Sequence, residues 1–140
     1  MEIYIKQNVS QEEYNMYLYV YDLNIVNIPI PIDYDPDNHI MTTQRIDAMN
    51  ISDLYGEYAH QVPTIIWDEI VNTVRTLLEH GIQYPDITGY NFIWHRDTLW
   101  IVDFEHAFRL NNPDDCIDEF IDKFCQWEIG DPKEWNPEFR

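Results

Sequence analysis

The chain has 140 residues, which suits a single domain, and 45% of them are hydrophobic, enough to build a packed core. It carries 26 acidic against 8 basic side chains, for a formal charge of −18. Nucleic acids and anionic membranes bind clustered Lys and Arg, so this balance argues against both as partners, whereas a surplus of carboxylates is compatible with divalent metal binding.

The first predicted elements are a short strand and a helix. Ile3 to Ile5 is the strand candidate. Ser10 opens the helix, because with Glu13 three residues later it forms a capping box, in which each side chain can satisfy a backbone donor of the other. Asn24 and the prolines that follow it end this helix.

A hairpin and a polar connector come next. The extended runs 28–34 and 39–43 flank Asp35-Pro36-Asp37-Asn38, a cluster that favours a turn. Residues 45–55 form the connector, with one short helix from Ile51.

The clearest helix is predicted over Thr64 to His80. Its apolar residues form one broad stripe at helical spacing, and Gly81 supplies the stop. The stripe consists of Ile65, Ile66, Ile70, Val71, Val74, Leu77 and Leu78.

Beyond a loop over residues 83–90, a second hairpin and a last helix are predicted. The hairpin strands are 92–94 and 99–102, joined by the turn 95–98. The last helix spans Pro113 to Glu128, and a surface tail follows it.

Three oxygen-bearing side chains around this second hairpin suggest phosphoryl-transfer chemistry. That reaction needs a carboxylate that orients the acceptor hydroxyl and oxygen ligands for Mg²⁺ on the phosphates. Asp86 lies in the loop, Asn91 follows five residues later, and Asp103 ends the hairpin. We predict that Asp86 faces the acceptor and that Asn91 and Asp103 hold the metal.

This pattern resembles the protein-kinase-like superfamily. The spacing Asp86-(four residues)-Asn91 matches the family's catalytic loop, and Asp103-Phe104-Glu105 matches its metal loop, with Glu in place of Gly. Thr88 stands where many protein kinases have Lys, so the chain is most similar to atypical, RIO-like kinases. Glu105 is either a further metal ligand or a solvated acid, and we favour the second interpretation.

A literal His95-Arg96-Asp97 in the sequence is not the family's catalytic motif. Val102, rather than Asn, stands five residues after Asp97, and the flanking strands predict an exposed hairpin turn. The corresponding motif positions are occupied by Tyr84, Pro85 and Asp86.

Upstream, the resemblance implies a phosphate-binding lysine and a hinge. Lys6, in Ile3-Tyr4-Ile5-Lys6, would contact the α- and β-phosphates, and Glu13 would be its partner, although only seven positions separate them. Met41 and Thr43 would lie in the last small-lobe strand and hinge, against the nucleotide base. His106 would either touch phosphate or, as we favour, bond locally.

The resemblance implies a single minimal domain with the α+β class of a truncated protein-kinase-like fold, in which a small antiparallel sheet and helices surround a catalytic-loop hairpin. Residues 1–43 would be a small-lobe remnant, 44–110 the hinge, helix and catalytic loops, and 111–140 a C-terminal helix and tail. A Gly-rich loop and a large helical lobe are missing, so the nucleotide would be open to water and catalysis weak.

The expected function is therefore a Mg²⁺-dependent, ATP- or GTP-binding, Ser/Thr-kinase-like phosphotransferase. A pseudokinase that only binds, or a slow nucleotide hydrolase, is the alternative. A protein substrate or a second copy that completes the site is a further expected partner. The start of the sequence does not resemble a signal peptide, and Cys116 and Cys125 match no metal motif, so we expect a soluble cytoplasmic protein.

Overall fold

The protein combines helices with small antiparallel sheets, and the computed structural model describes residues 1–115, Ile121 and Phe124. The elements in chain order are β1 (Ile3–Lys6), α1 (Gln11–Leu23), β2 (Pro31–Asp35), β3 (Ile40–Gln44), α2 (Ile51–Tyr55), α3 (Thr64–Glu79), β4 (Ile82–Gln83), β5 (Phe92–His95), β6 (Thr98–Ile101) and β7 (Phe108–Arg109). This composition confirms the predicted α+β class.

Strands β1, β3 and β2 form one antiparallel sheet in that order. The β2–β3 hairpin turns at Asp35, whose carboxylate accepts the backbone N–H groups of Asp37 and Asn38, as the turn chemistry predicted. In the register of β1 on β3, Lys6 lies opposite Met41 and Tyr4 opposite Thr43. These side chains therefore share the inner face of the sheet, because strand residues alternate between faces.

Helix α1 begins at the predicted cap and packs against this sheet. The Ser10 hydroxyl accepts the Glu13 backbone N–H at 3.0 Å, and Asn24 ends the helix in the left-handed conformation with φ 54°. The other half of the predicted capping box is not made, since the Glu13 carboxylate turns to Lys6 instead.

Helix α3 contributes several residues to the buried core and lies within the predicted bounds. Its buried residues include Ile66, Ile70, Val74 and Leu77. The prediction was wrong for Ile65, which is 66% exposed, because it lies just outside the arc that faces the core.

Two short two-stranded sheets complete the described part of the chain. Strands β5 and β6 form the predicted hairpin, and β4 pairs with β7, which was not predicted. The β4–β7 contact joins the end of α3 to the segment after residue 103, so it brings together the two ends of the stretch that carries Asp86, Asn91 and Asp103.

The predicted last helix falls largely outside the described residues. Ile121 and Phe124 are helical and fully buried, and the Phe124 ring packs edge-on against Trp67 of α3. Among the described residues, no helix combines the length and the apolar character needed to cross a membrane.

Candidate functional site

Lys6 contacts two acidic residues, one near it in the sequence and one far from it. Lys6 Nζ lies 2.6 Å from Glu13 Oε2 and 3.3 Å from Asp103 Oδ1, a residue 97 positions away in sequence. The predicted Lys6–Glu13 pair is therefore present. Glu13 is buried, whereas the side chains of Lys6 and Asp103 retain 24% and 30% of their exposure.

The pKa values of this network show opposing influences of burial and charge. Burial lowers the pKa of Lys6, but the nearby carboxylates of Glu13 and Asp103 outweigh that effect. The pKa of Lys6 is therefore raised above its usual value. Burial raises the pKa of Glu13, and the ammonium of Lys6 counteracts only part of the rise. At 2.6 Å the pair is best described as ionised near neutrality, because each charge is the main compensation for burying the other.

A cavity of about 460 Å³ opens beside this network. Lys6, Met41, Thr43, Asn91 and Asp103 all line it, so the structure brings five of the predicted site residues to one cavity. Its volume falls within the roughly 300–1,000 Å³ typical of small-molecule sites.

The loop before β5 holds Asp86 and Asn91 in a fixed relation. The Asn91 amide nitrogen donates to the Asp86 carbonyl at 3.0 Å, which orients the amide oxygen away from that carbonyl. Asp86 is not among the residues that line the cavity, and its side chain is 28% exposed. The structure therefore places Asp86 next to Asn91, one of the two predicted metal ligands.

Tyr84 connects this loop to the segment that carries Asp103, and no role was predicted for it from the sequence. Its hydroxyl lies 2.7 Å from the Asp103 carbonyl and 3.1 Å from the Val102 carbonyl. Burial raises the pKa of Tyr84, and the charges of Asp103 and Asp86 add to the rise. The only sequence signal was its position two residues before Asp86.

Asp103 sits in a strained turn that points its carboxylate toward the cavity. Its φ is 71°, in the left-handed region that non-glycine residues rarely adopt, and its Oδ1 accepts the Glu105 backbone N–H at 3.0 Å. Phe104 is fully buried and packs edge-on against Tyr17 and Tyr84. The buried ring anchors the turn, while Glu105 is exposed as predicted.

His106 is an exposed residue that contacts Asp86. Its Nδ1 lies 2.7 Å from Asp86 Oδ2, so it bonds locally, as favoured from the sequence. The Asp86 carboxylate raises the pKa of His106, with smaller contributions from Glu105 and Asp103.

The literal His95-Arg96-Asp97 lies at the predicted hairpin turn, with His95 at the end of β5 and Arg96 and Asp97 in the turn itself. Arg96 and Asp97 are exposed and have φ angles of 50° and 58°, the geometry of a two-residue hairpin loop. None of the three lines the cavity beside Lys6.

The donor set fits a magnesium ion that is bound mainly through a ligand's phosphates. No cluster of three His, Cys, Asp or Glu side chains suited to a metal occurs in the part of the chain described. Mg²⁺ is commonly held by one or two protein oxygens plus phosphates and water. The Asp103 carboxylate and the Asn91 amide oxygen are suitable donors, and the Asn91 side chain also hydrogen-bonds with the Tyr84 hydroxyl.

Comparisons with known proteins show which family and which folds the chain is similar to. A family model described as the RIO domain matches residues 2–125. The Rio2 kinase of Chaetomium thermophilum, solved as an ADP/Mg²⁺–phosphoaspartate complex, matches with a TM-score of 0.60 and 16% identity, over 81% of this chain and 34% of that one. PK-1, a kinase of the Cydia pomonella granulovirus, matches with a TM-score of 0.56 and 12% identity, over 78% and 43%.

A search of curated proteins found no match. The two solved structures show a kinase-like fold, and together with the family match they confirm the resemblance that was inferred from the residue pattern around Asp86 and Asp103. The chain spans less than half the length of either structure.

Proposed function

The chain belongs to the RIO-domain family, and from that membership we propose that it is a Mg²⁺-dependent, nucleotide-binding phosphotransferase of the protein-kinase type. The observation that carries this proposal is the Lys6–Glu13–Asp103 network on the wall of a cavity of nucleotide size. An ion pair that served only to stabilise the fold would not need to face a cavity. Nor would it need to join two residues 97 positions apart at the open side of that cavity.

Each side chain has a definable task in this proposal. Lys6 holds phosphate oxygens, and Glu13 fixes the direction of its ammonium. Asn91 and Asp103 supply metal oxygens, and a bound Mg²⁺ would neutralise charge on the phosphates. Met41 and Thr43 contact the base.

Asp86 faces the acceptor, because its partly exposed carboxylate contacts His106, three residues after Asp103. There it can orient an incoming hydroxyl and accept its proton. We propose a Ser/Thr side chain as the acceptor class.

Ligand-dependent thermal stability tests the binding part of the proposal. A ligand that binds only the folded state at 100 times its Kd adds about 2.7 kcal/mol to the free energy of unfolding. Mg²⁺–ATP or Mg²⁺–GTP should therefore raise Tm above that with Mg²⁺ alone. Asp103→Asn should lose most of this rise, whereas Asp97→Asn, at the exposed turn, should keep it. No rise with either nucleotide would refute the proposal.

A binding module without transfer, or a slow hydrolase, is the alternative. Within residues 1–115, β1 pairs only with β3, so no described strand covers the cavity beyond the free edge of β1. Water could then reach the phosphates and weaken their electrostatic stabilisation. Binding without phosphorylated product or phosphate release would select the module, and phosphate release alone would select the hydrolase.

A further inference from the structure

The hydrogen bond between His106 and Asp86 places an imidazole at the position proposed for the phosphoryl acceptor. We propose that His106 is itself a phosphoryl acceptor, which takes the γ-phosphoryl group of a bound nucleoside triphosphate on Nε2. This inference rests on the proposed function, since it requires a nucleotide whose terminal phosphate faces Asp86.

The hydrogen bond fixes which nitrogen is nucleophilic. An ionised carboxylate can only accept, so the 2.7 Å contact with Asp86 Oδ2 requires the proton to be on Nδ1 of His106. In the neutral ring Nε2 then carries the free lone pair. Nε2 makes no hydrogen bond within the described residues, and the side chain is 60% exposed, so this nitrogen is accessible.

The same contact stabilises the product of the transfer. Nε2 attacks the γ-phosphorus, an N–P bond forms, and the bond from that phosphorus to the β–γ bridging oxygen breaks. The nucleoside diphosphate leaves with that oxygen and its electron pair. The ring keeps its Nδ1 proton and becomes cationic, and the Asp86 carboxylate stabilises this charge as the aspartate of a Ser-His-Asp triad stabilises its imidazolium.

The backbone around His106 is held in a turn by the residues on either side of it. Phe104 is fully buried, and its carbonyl accepts the Ala107 N–H at 3.3 Å, which closes a turn around residues 105 and 106. Asp103 begins the same turn and lines the nucleotide cavity. A metal ligand and the proposed acceptor are thus held three residues apart on one rigid turn, which limits the cost of positioning the nucleophile.

Acid stability of the phosphoryl label tests the proposal. The whole chain is incubated with γ-labelled ATP and Mg²⁺. A phosphoramidate on histidine is lost in acid and survives alkali, a phosphoserine or phosphothreonine survives acid, and an aspartyl phosphate is cleaved by alkali and hydroxylamine. We expect an alkali-stable, acid-labile label that maps to the peptide containing His106.

Two variants make the test specific. His106→Asn keeps a donor toward Asp86 but has no nucleophilic nitrogen, so labelling should fall at least tenfold. His39→Asn, at an exposed left-handed position, should label normally. Mg²⁺–ATP should still raise the Tm of His106→Asn, which shows that the variant is folded and binds.

Several outcomes would overturn the proposal. These are an acid-stable label, an alkali-labile label, a label that persists in His106→Asn, and no label on a wild-type chain that Mg²⁺–ATP stabilises. The last result leaves nucleotide binding intact, whereas a wild-type chain that no nucleotide stabilises would also remove the proposed function.

Discussion

Replacing Lys6 with methionine should destabilise the protein in a strongly pH-dependent way. Lys6→Met keeps the length of the side chain but leaves Glu13, which is 3% exposed, facing Asp103 without a cation between them. Removing one partner of a buried ion pair typically costs about 3–5 kcal/mol. Because Lys6 is itself 24% exposed, we expect a loss near the low end, about 2–4 kcal/mol at pH 7.5.

The sign of the pH dependence follows from the raised pKa of Glu13. Burial already raises this pKa, and loss of Lys6 removes the two influences that lower it. The folded state therefore binds a proton more tightly than the unfolded state, whose carboxyl has an ordinary pKa of about 4.3. The penalty should be small below about pH 4.3 and should grow as pH rises through the folded-state pKa.

Urea unfolding of three variants at pH 4.5 and pH 7.5 measures this effect. The double variant Lys6→Met/Glu13→Gln removes both charges, so it should recover most of the stability lost at pH 7.5. Glu12→Gln, on the exposed side of the same helix, should change stability by less than about 0.5 kcal/mol. Equal penalties at both pH values, or a double variant no more stable than Lys6→Met, would refute this account of the network.

Three further perturbations address the loops. Tyr84→Phe leaves two metal-loop carbonyls without a buried donor and should cost about 1–2 kcal/mol in urea unfolding, whereas Tyr4→Phe, 54% exposed, should cost almost nothing. Asn91→Ala should raise the Mg²⁺ concentration that half-saturates nucleotide binding by roughly tenfold or more, and calorimetry without metal should show little change. Asp97→Gly relieves a left-handed residue, so it should raise stability by up to about 1 kcal/mol, and a changed nucleotide affinity would instead assign the turn to the site.

Local patterns accounted for most of the elements. These elements depend on residues only a few positions apart, so neighbouring residues in the sequence are enough to predict them. Examples are the helix cap at Ser10, the turn at Asp35 and the helix end at Gly81. The β4–β7 pair could not be read in this way. Each strand has two residues, too few for an alternating pattern, and the pair forms only because the rest of the chain brings its ends together.

Some residues of the candidate site could likewise be predicted from local sequence spacing, whereas others depended on tertiary packing. The spacing of Asp86, Asn91 and Asp103 reflects one loop and one hairpin, and it was recognisable because those elements have a fixed length. The partner of Glu13 was uncertain, because its position fits both a helix cap and an ion pair with Lys6. Tertiary packing decided in favour of Lys6, since burying Glu13 without a cation would cost more than leaving the Ser10 backbone N–H to other acceptors.

The two contacts of Lys6 suggest how the site could accept a ligand without reorganising. The bond to Glu13 is short and buried, whereas the bond to Asp103 is 3.3 Å long and lies at the cavity. A phosphate that enters the cavity can take the place of Asp103 at the ammonium while Glu13 keeps the lysine in position. Asp103 would then be free to serve as an oxygen ligand for a metal ion held with the phosphate. In a chain of charge −18, this exchange would let one lysine neutralise the carboxylates before binding and the proposed ligand afterwards.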